Sequence, residues 1–235
     1  MRNVLNFLLT GVGGQGIILA SDVLVNVGLA AGYSVKQAEV HGMSQRGGSV
    51  TSFVRWGQAV YSPLVGAGEV DVLLAFEKLE ALRVVNQLRP GAIALINDRA
   101  IEPLTVISGG QEYPSDGRVK AAFATVTPRT AFIDGETIAI ELGNPRVVNV
   151  VLIGALSALL EWDSALGPEL DAEIWLKVVS ERVPARQVEL NRLAFVAGRD
   201  AISRLPYEKL GKKVGRQPFQ VAVSDFLAGN NLVEP

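Results

Sequence analysis

A glycine-rich turn directly after an apolar run constrains the fold of this chain more than any other feature of its sequence. Residues 4–10 (VLNFLLT) are short and mostly apolar, which predicts a buried parallel strand. Residues 10–16 (TGVGGQG) follow, and their glycines have the spacing G-x-G-x-x-G. Residues 17–31 then carry apolar side chains at helical spacing. Strand, glycine turn and helix in this order predict an open α/β fold with its functional site beside the turn.

A second polar loop lies one strand further along the chain. Residues 34–40 alternate as a strand, and residues 41–48 (HGMSQRGG) follow as a loop closed by two glycines. We expect both loops at the carboxyl ends of neighbouring strands, where open α/β folds place their sites. Residues 49–56 alternate as another strand, and a hairpin is predicted to turn at residues 56–58. Antiparallel strands at this point would make the sheet mixed.

The remaining pattern alternates between strands and helices and predicts a layered architecture. Further strands are predicted at residues 70–76, 91–97, 121–126 and 131–134, with helices at residues 77–88 and 136–142. The fold class expected from this order is α/β: a three-layer α/β/α sandwich with a mixed, Rossmann-like sheet, plus C-terminal helices.

The character of the chain changes after residue 145. Residues 149–162 are apolar almost all round, which predicts a helix buried on every side. A lone domain of this size has limited means to surround such a helix, which favours a subunit of a complex or a scaffold over a stand-alone enzyme. Three segments are predicted: the α/β domain at 1–145, helices completing or flanking it at 146–205 (two of them amphipathic, at 170–182 and 186–205), and an extended tail at 206–235.

Composition excludes several classes of function. The chain of 235 residues has no cysteine, which excludes disulfides, thiolate-held iron–sulfur clusters and thiol nucleophiles within it. The single histidine, His41, gives little support to a multi-histidine metal site. A net charge of −2 gives no reason to expect nucleic acid as a partner. The longest apolar run is shorter than the ~20 residues of a membrane span, so we expect a soluble, cytoplasmic protein that does not bind a membrane.

The glycine turn by itself is consistent with a dinucleotide. Glycines permit a tight turn and a close approach of the backbone, and the first amides of the following helix attract anions. Glu39, at the end of the second predicted strand, is a candidate acid for a ribose hydroxyl. The alternative is that the glycines only let the helix pack closely against the strand.

The second loop fits the dinucleotide interpretation poorly. Residues 41–48 are dense in hydrogen-bonding groups and flexible backbone. Arg46, between a polar pair and two glycines, suits the capture of a phosphate or carboxylate, or an ion pair across a subunit interface. His41 is a candidate general base, although a histidine with a structural or interface role is the commoner case.

Together the two loops carry a family resemblance. The segments GVGGQGI and EVHGMSQRGGSV, with the strand SFVRWG, resemble the gamma-type domain of the 2-oxoacid:ferredoxin oxidoreductases. The resemblance covers residues 4 to about 160, and the HGMSQRGG form is similar to the small (beta) subunits of the indolepyruvate branch. Both motifs at this spacing are far more specific than a glycine turn alone.

The resemblance implies a division of labour between subunits. The family decarboxylates a 2-oxoacid oxidatively, passes electrons through [4Fe–4S] clusters to ferredoxin, and releases an acyl-CoA. A large alpha subunit is expected to carry thiamine diphosphate, magnesium and the ferredoxin-like cluster domain. This chain would bind no cofactor alone and do no covalent chemistry. It would support assembly, closure of the active site and possible binding of coenzyme A.

By the same resemblance, the two loops would face the partner subunit or coenzyme A. The residues concerned are Gly11, Gly13, Gly14, Gln15, Gly16, His41, Met43, Ser44, Gln45, Arg46, Gly47 and Gly48. Two other functions stay open at this point. One is a stand-alone Rossmann-type oxidoreductase that binds NAD(P) or FAD, and the other is a scaffold whose glycine turn binds nothing.

Overall fold

Six strands form one mixed sheet in the computed structural model of the protein, which describes residues 4–41, 48–162 and 170–205. The strands are β1 (Val4–Val12), β2 (Ser34–His41), β3 (Ser49–Gly57), β4 (Val70–Ala75), β5 (Leu88–Asn97) and β6 (Thr130–Ile133). Their order across the sheet is β2-β3-β1-β4-β5-β6. β3 is antiparallel to β1 and β2, whereas β1, β4, β5 and β6 are parallel. The expected mixed sheet is confirmed.

Helices pack on both faces of this sheet. They are α1 (Ile17–Ala30), α2 (Lys78–Arg83), α3 (Leu104–Ile107), α4 (Asp116–Ala124), α5 (Gly135–Glu141), α6 (Val148–Trp162), α7 (Ala172–Arg182) and α8 (Val188–Ser203), with short 3₁₀ turns at Val85–Gln87, Pro145–Val147 and Ala185–Gln187. Side chains of α1 and of α5 to α8 share one core cluster with the sheet, and those of α2 and α4 share a second. The three-layer α/β/α class is therefore confirmed.

Helix α6 is enclosed by the chain itself. Its residues from Asn149 to Leu160 are buried, and α8, α5, α1 and α7 pack around it beside the sheet. Gly154 and Gly198 let α6 and α8 approach so closely that a Cβ at either position would lie 2.0 Å or 1.9 Å from a backbone carbonyl oxygen of the other helix. Burial on every side is confirmed. The chain itself provides it, so the expectation that a lone domain has limited means to surround this helix was wrong.

The hairpin predicted after β3 is absent from the described residues. The chain leaves Gly57 as a loop, and the Arg55 guanidinium holds it by donating to the carbonyls of Ser62 (2.8 Å) and Leu64 (2.7 Å). The physical reason is that β3 already has β1 on one side and β2 on the other. No edge remains for a following strand to pair with, so alternation alone misled the prediction.

Residues 121–126 were expected as a strand and lie instead mainly in helix α4. The Ser115 side chain caps this helix by accepting from Arg118 N (3.3 Å). Val119 and Phe123, spaced four residues apart, are buried on the same side against the sheet. The apolar pattern therefore has helical rather than strand spacing. None of the helices in the described parts of the chain is long and apolar enough to cross a membrane.

Candidate functional site

The first glycine motif connects β1 to α1 at the carboxyl edge of the sheet. Gly14 and Gly16 have positive φ angles of 101° and 80°, a backbone conformation that favours glycine. Gly16 precedes α1, and a Cβ there would meet the side chain of Asn149 on α6 at 2.5 Å. A Cβ at Gly11 would lie 2.6 Å from Gln15 Oε1. Three of the glycines thus serve backbone conformation or close packing.

The side chain of Gln15 fixes the shape of the turn. Its Oε1 accepts a hydrogen bond from Val12 N (2.7 Å), and its Nε2 donates to the carbonyl of Phe76 (3.0 Å). Phe76 follows β4, so one side-chain amide ties the turn to the neighbouring strand. Gln15 was expected to face a partner or coenzyme A, but its amide is engaged within the chain.

A second amide continues this link towards β6. Asn97, which is buried at the end of β5, donates from Nδ2 to the same Phe76 carbonyl (3.2 Å) and accepts from Gly135 N (3.0 Å). We call Gln15, Phe76, Asn97 and Gly135 the amide row. It joins the ends of four strands along the carboxyl edge, and sequence reasoning missed it because its members lie far apart in the chain.

The two glycine motifs meet at one backbone hydrogen bond. Gly13 N donates to the carbonyl of Gly48 (2.9 Å), the last residue of the second motif. Both motifs therefore lie at the carboxyl edge, as expected. They do not leave neighbouring strands, however, because β3 lies between β1 and β2. Of the second motif, the structure describes only the β2 position of His41 and the residue Gly48; Met43, Ser44, Gln45, Arg46 and Gly47 lie outside the described residues.

A buried carboxylate holds the chain where it leaves the second motif. Ser49, the first residue of β3, donates from Oγ to Glu80 Oε2 at 2.6 Å. Glu80 lies on α2, is 5% exposed, and accepts from Arg83 Nη1 through its other oxygen (2.9 Å). Ser49 and Glu80 are separated by 31 residues in the sequence, and no sequence motif predicted their contact.

The start of α2 is anchored by the carboxylate of Glu77. Glu77 is 1% exposed and accepts from Glu80 N (2.8 Å), Ile101 N (3.0 Å) and the hydroxyl of Tyr113. Burial, followed by the hydrogen bond to Glu77, raises the pKa of Tyr113 well above its ordinary value. The phenol therefore stays protonated and remains a donor to the carboxylate.

Lys78 adds ion pairs beside this carboxylate. Its Nζ lies 2.8 Å from Asp98 Oδ1 and 2.7 Å from Asp116 Oδ1. Burial lowers the pKa of Lys78, but hydrogen bonds and charge from Asp116 and Asp98 outweigh burial, and the net shift is upward. The same contact lowers the pKa of Asp116. The residues from Phe76 to Glu80 thus connect α2 to several segments at the carboxyl edge.

The described residues do not fit a resident metal or cluster. No group of three or more histidine, cysteine, aspartate or glutamate side chains is placed to hold a metal ion within the ranges that the structure describes. The whole sequence lacks the cysteine that a thiolate-held cluster requires. No catalytic step through such a group can be assigned to these residues.

The position of Glu39 also disagrees with a dinucleotide site. In the classic doubly wound order the second strand lies directly beside the first. Here Glu39 pairs with Ser52 on β3, so its strand lies one strand spacing, roughly 5 Å, further from the glycine turn. The chain therefore has the G-x-G-x-x-G spacing but lacks the strand order that accompanies it in dinucleotide-binding folds.

Comparison with known proteins decides the family. The model of the family described as pyruvate ferredoxin/flavodoxin oxidoreductase matches residues 6–201. The chain belongs to this family. Indolepyruvate oxidoreductase subunit IorB of Pyrococcus horikoshii is 43% identical over 194 residues, which cover 82% of this chain and 93% of that relative. The same subunit of Archaeoglobus fulgidus is 36% identical over 203 residues, covering 86% and 98%.

Solved structures share the fold of this family member. The gamma subunit of a keto/oxoacid ferredoxin oxidoreductase from Geobacter sulfurreducens superposes with a TM-score of 0.60 at 24% identity, over 86% of this chain and 99% of that one. A 2-oxoglutarate:ferredoxin oxidoreductase from Magnetococcus marinus, solved with 2-oxoglutarate, coenzyme A and succinyl-CoA bound, has a TM-score of 0.66 at 19% identity. The match covers 93% of this chain but 34% of that one, so there the fold is part of a larger chain. The interpretation as a stand-alone NAD(P) or FAD enzyme is not supported.

Proposed function

We propose that this chain is the small subunit of an aryl-2-oxoacid:ferredoxin oxidoreductase whose substrates include indolepyruvate. The observation that carries the proposal is 43% identity to an indolepyruvate oxidoreductase subunit along nearly that subunit's whole length. A partner subunit supplies what these residues lack. The complex would oxidise the 2-oxoacid, release carbon dioxide, transfer the acyl group to coenzyme A and pass the electrons to ferredoxin.

The cofactors of this reaction belong to the partner in our proposal. The absence of cysteine requires that thiolate-held [4Fe–4S] clusters bind elsewhere. Thiamine diphosphate with its magnesium ion would bind to the large subunit beside those clusters. The role of this chain is then assembly, cover for the active site and contact with coenzyme A. These roles call for a well-defined surface rather than for catalytic side chains.

The carboxyl edge of the sheet is the proposed contact surface for the large subunit. Both glycine motifs reach this edge, where Gly13 and Gly48 join them. Two apolar side chains nearby are exposed: Ile18 at the start of α1 (57%) and Val40 near the end of β2 (58%). Exposed apolar residues beside a shaped backbone surface are typical of interfaces.

Reconstitution with the large subunit tests the proposed function. The two chains should co-purify, and the complex should reduce ferredoxin only when an arylpyruvate and coenzyme A are both present. Each chain alone should be inactive. Tight binding of a nicotinamide or flavin by the isolated small chain, together with oxidation of a substrate in the absence of a partner, would contradict the proposal.

Arg46 is the proposed anion contact of the second motif, with Ser44 and Gln45 beside it. An arginine suits the phosphates of coenzyme A or a carboxylate of the partner. Arg46→Ala should raise the Michaelis constant for coenzyme A or for the 2-oxoacid in the reconstituted complex. Unchanged constants in an assembled complex would remove Arg46 from the proposal.

We further propose that residues 146–205 complete the domain formed by residues 1–145, with residues 206–235 as an extended tail. One core cluster holds side chains from both of the first two segments, including Leu9 of β1, Leu152 of α6 and Phe195 of α8. A cytoplasmic location also belongs to the proposal, since the partner's clusters and the ferredoxin acceptor operate there.

A further inference from the structure

We propose that Glu80 is a positioning residue, which by binding Ser49 holds Gly48, the last residue of the second glycine motif, against the first motif. The inference rests on the proposed function, because the surface it positions is the contact surface for the large subunit. Glu80 itself is not expected to touch substrate, cofactor or reacting atoms.

The carboxylate of Glu80 is held in one orientation. It is 5% exposed, and Oε1 is bound by Arg83 Nη1 at 2.9 Å. The backbone N–H of Glu80 is held in turn by Glu77 Oε2 at 2.8 Å. Oε2 is thereby aimed at Ser49 Oγ, 2.6 Å away. A buried, charged acceptor at this distance makes a stronger bond than a neutral one.

Ser49 connects the Glu80 carboxylate to the glycine turn. It pairs with Val12 across β3 and β1, and the carbonyl of the preceding Gly48 accepts from Gly13 N at 2.9 Å. Val12 N in turn donates to Gln15 Oε1 at 2.7 Å. Glu80, Ser49 and Gly48 therefore form one continuous connection from α2 to the first glycine motif.

The first residues of α2 and its cap hold Glu80 in a fixed position relative to the sheet. Glu77 is bound by Ile101 N (3.0 Å) and Tyr113, while Lys78 pairs with Asp98 (2.8 Å). These partners lie on segments after β5, so the helix is tied to the sheet on the side away from the glycine turn. A short helix anchored in this way can position Gly48 and Ser49 without touching the ligands or the partner.

The test measures affinity for the large subunit in the reconstituted complex. Activity is titrated with small subunit carrying Ser49→Ala, Glu80→Ala or both changes. Each single change should raise the apparent Kd about tenfold, and the double variant should lose no more than either one, because one bond is removed in all three. Activity at saturating small subunit should stay within about twofold of wild type.

Two matched variants separate positioning from a general loss of stability. Ser49→Thr keeps the hydroxyl and should restore affinity. Ser34→Ala removes a hydroxyl that accepts from Val60 N (3.3 Å) at the opposite edge of the sheet, and should leave affinity unchanged. If Glu80→Ala does not fold, the comparison of Ser49→Ala with Ser49→Thr decides, since neither of these alters the contact between Glu80 and Arg83.

The outcomes separate this inference from the function on which it rests. An unchanged Kd for folded Ser49→Ala, additive losses in the double variant, or an equal loss with Ser34→Ala would overturn the role of Glu80. Failure of the wild-type chain to bind the large subunit would instead count against the proposed function.

Discussion

Side-chain amides shape the glycine turn at the scale of single residues. In the sequence, Gln15 is a single polar residue among glycines, and a side chain in that setting could contact a ligand. In the fold its amide bridges Val12 N and the Phe76 carbonyl. The sequence could place Gln15 beside the turn, but the second half of the bridge lies 61 residues away and depends on β4 lying next to β1.

Removal of this bridge should cost stability. Gln15→Ala leaves Val12 N without its side-chain acceptor, and the Phe76 carbonyl retains only Asn97 as a side-chain donor. We expect a loss of about 1–3 kcal/mol in the free energy of unfolding, measured by urea denaturation. Gln58→Ala, at an exposed position, serves as the control and should change it by less than about 0.5 kcal/mol.

The glycines of the first motif should differ in their tolerance of alanine. Gly14→Ala and Gly16→Ala both place a Cβ at a positive φ, which is strained. A Cβ at Gly14 has no heavy atom within 4 Å, whereas one at Gly16 would meet Asn149 at 2.5 Å. Gly16→Ala should therefore lower the melting temperature more than Gly14→Ala. Equal losses would show that Asn149 moves aside without cost.

Tyr113 should give the protein a distinct dependence on alkaline pH. Its pKa is raised in the folded state by burial and by the hydrogen bond to Glu77, above the value of about 10 expected when unfolded. The unfolded chain then ionises first as pH rises, so the contribution of Tyr113 to stability is complete below about pH 10 and declines above it. The stability advantage of wild type over Tyr113→Phe should narrow above pH 10, measured by denaturant unfolding. An advantage that is constant with pH would contradict the assignment.

At the scale of helices and strands, the sequence predicted single elements better than it predicted their neighbours. The pattern of residues 149–162 predicted a helix buried on all sides, and α6 is such a helix. Its partners could not be read from the same pattern. The hairpin predicted after β3 failed for a similar reason, since β3 has both edges paired and local alternation does not report on neighbours.

The crossing of α6 and α8 should be the element contact most sensitive to substitution. Gly154→Ala places a methyl group 2.0 Å from the carbonyl oxygen of Phe195, and Gly198→Ala places one 1.9 Å from that of Val151. A backbone carbonyl cannot rotate away, so each change should destabilise by about 3 kcal/mol or more in thermal or urea unfolding.

A matched glycine in an open helix provides the control for this prediction. Gly117 lies on α4, and its nearest contact to an added Cβ is Ser115 Oγ at 4.0 Å. Alanine there should stabilise the chain by up to about 1 kcal/mol, because glycine is the poorer helix former. A loss at Gly117 equal to that at Gly154 would show that helix packing is not the cause.

At the scale of the whole molecule, the six-stranded sheet brings distant motifs to one edge. If that edge meets the large subunit, binding should slow backbone amide exchange around residues 10–20 and 48–52. Exchange in the loop at residues 58–69, at the opposite edge, should not change. Hydrogen exchange with and without the large subunit measures both regions. Protection confined to residues 58–69 would place the interface at the opposite edge of the sheet and contradict the proposed contact surface.

The local features of this protein could be predicted from its amino-acid sequence. Apolar periodicity located most helices and strands, the two glycine motifs indicated the family, and the lack of cysteine removed cluster ligation from the chain. These features depend on neighbours in the chain or on residue chemistry alone. The tertiary structure decided the insertion of β3 between β1 and β2, the amide row, the enclosure of α6 and the contact of Glu80 with Ser49. Each of these depends on which distant segments share an edge or a face, and no spacing along the chain encodes that choice directly.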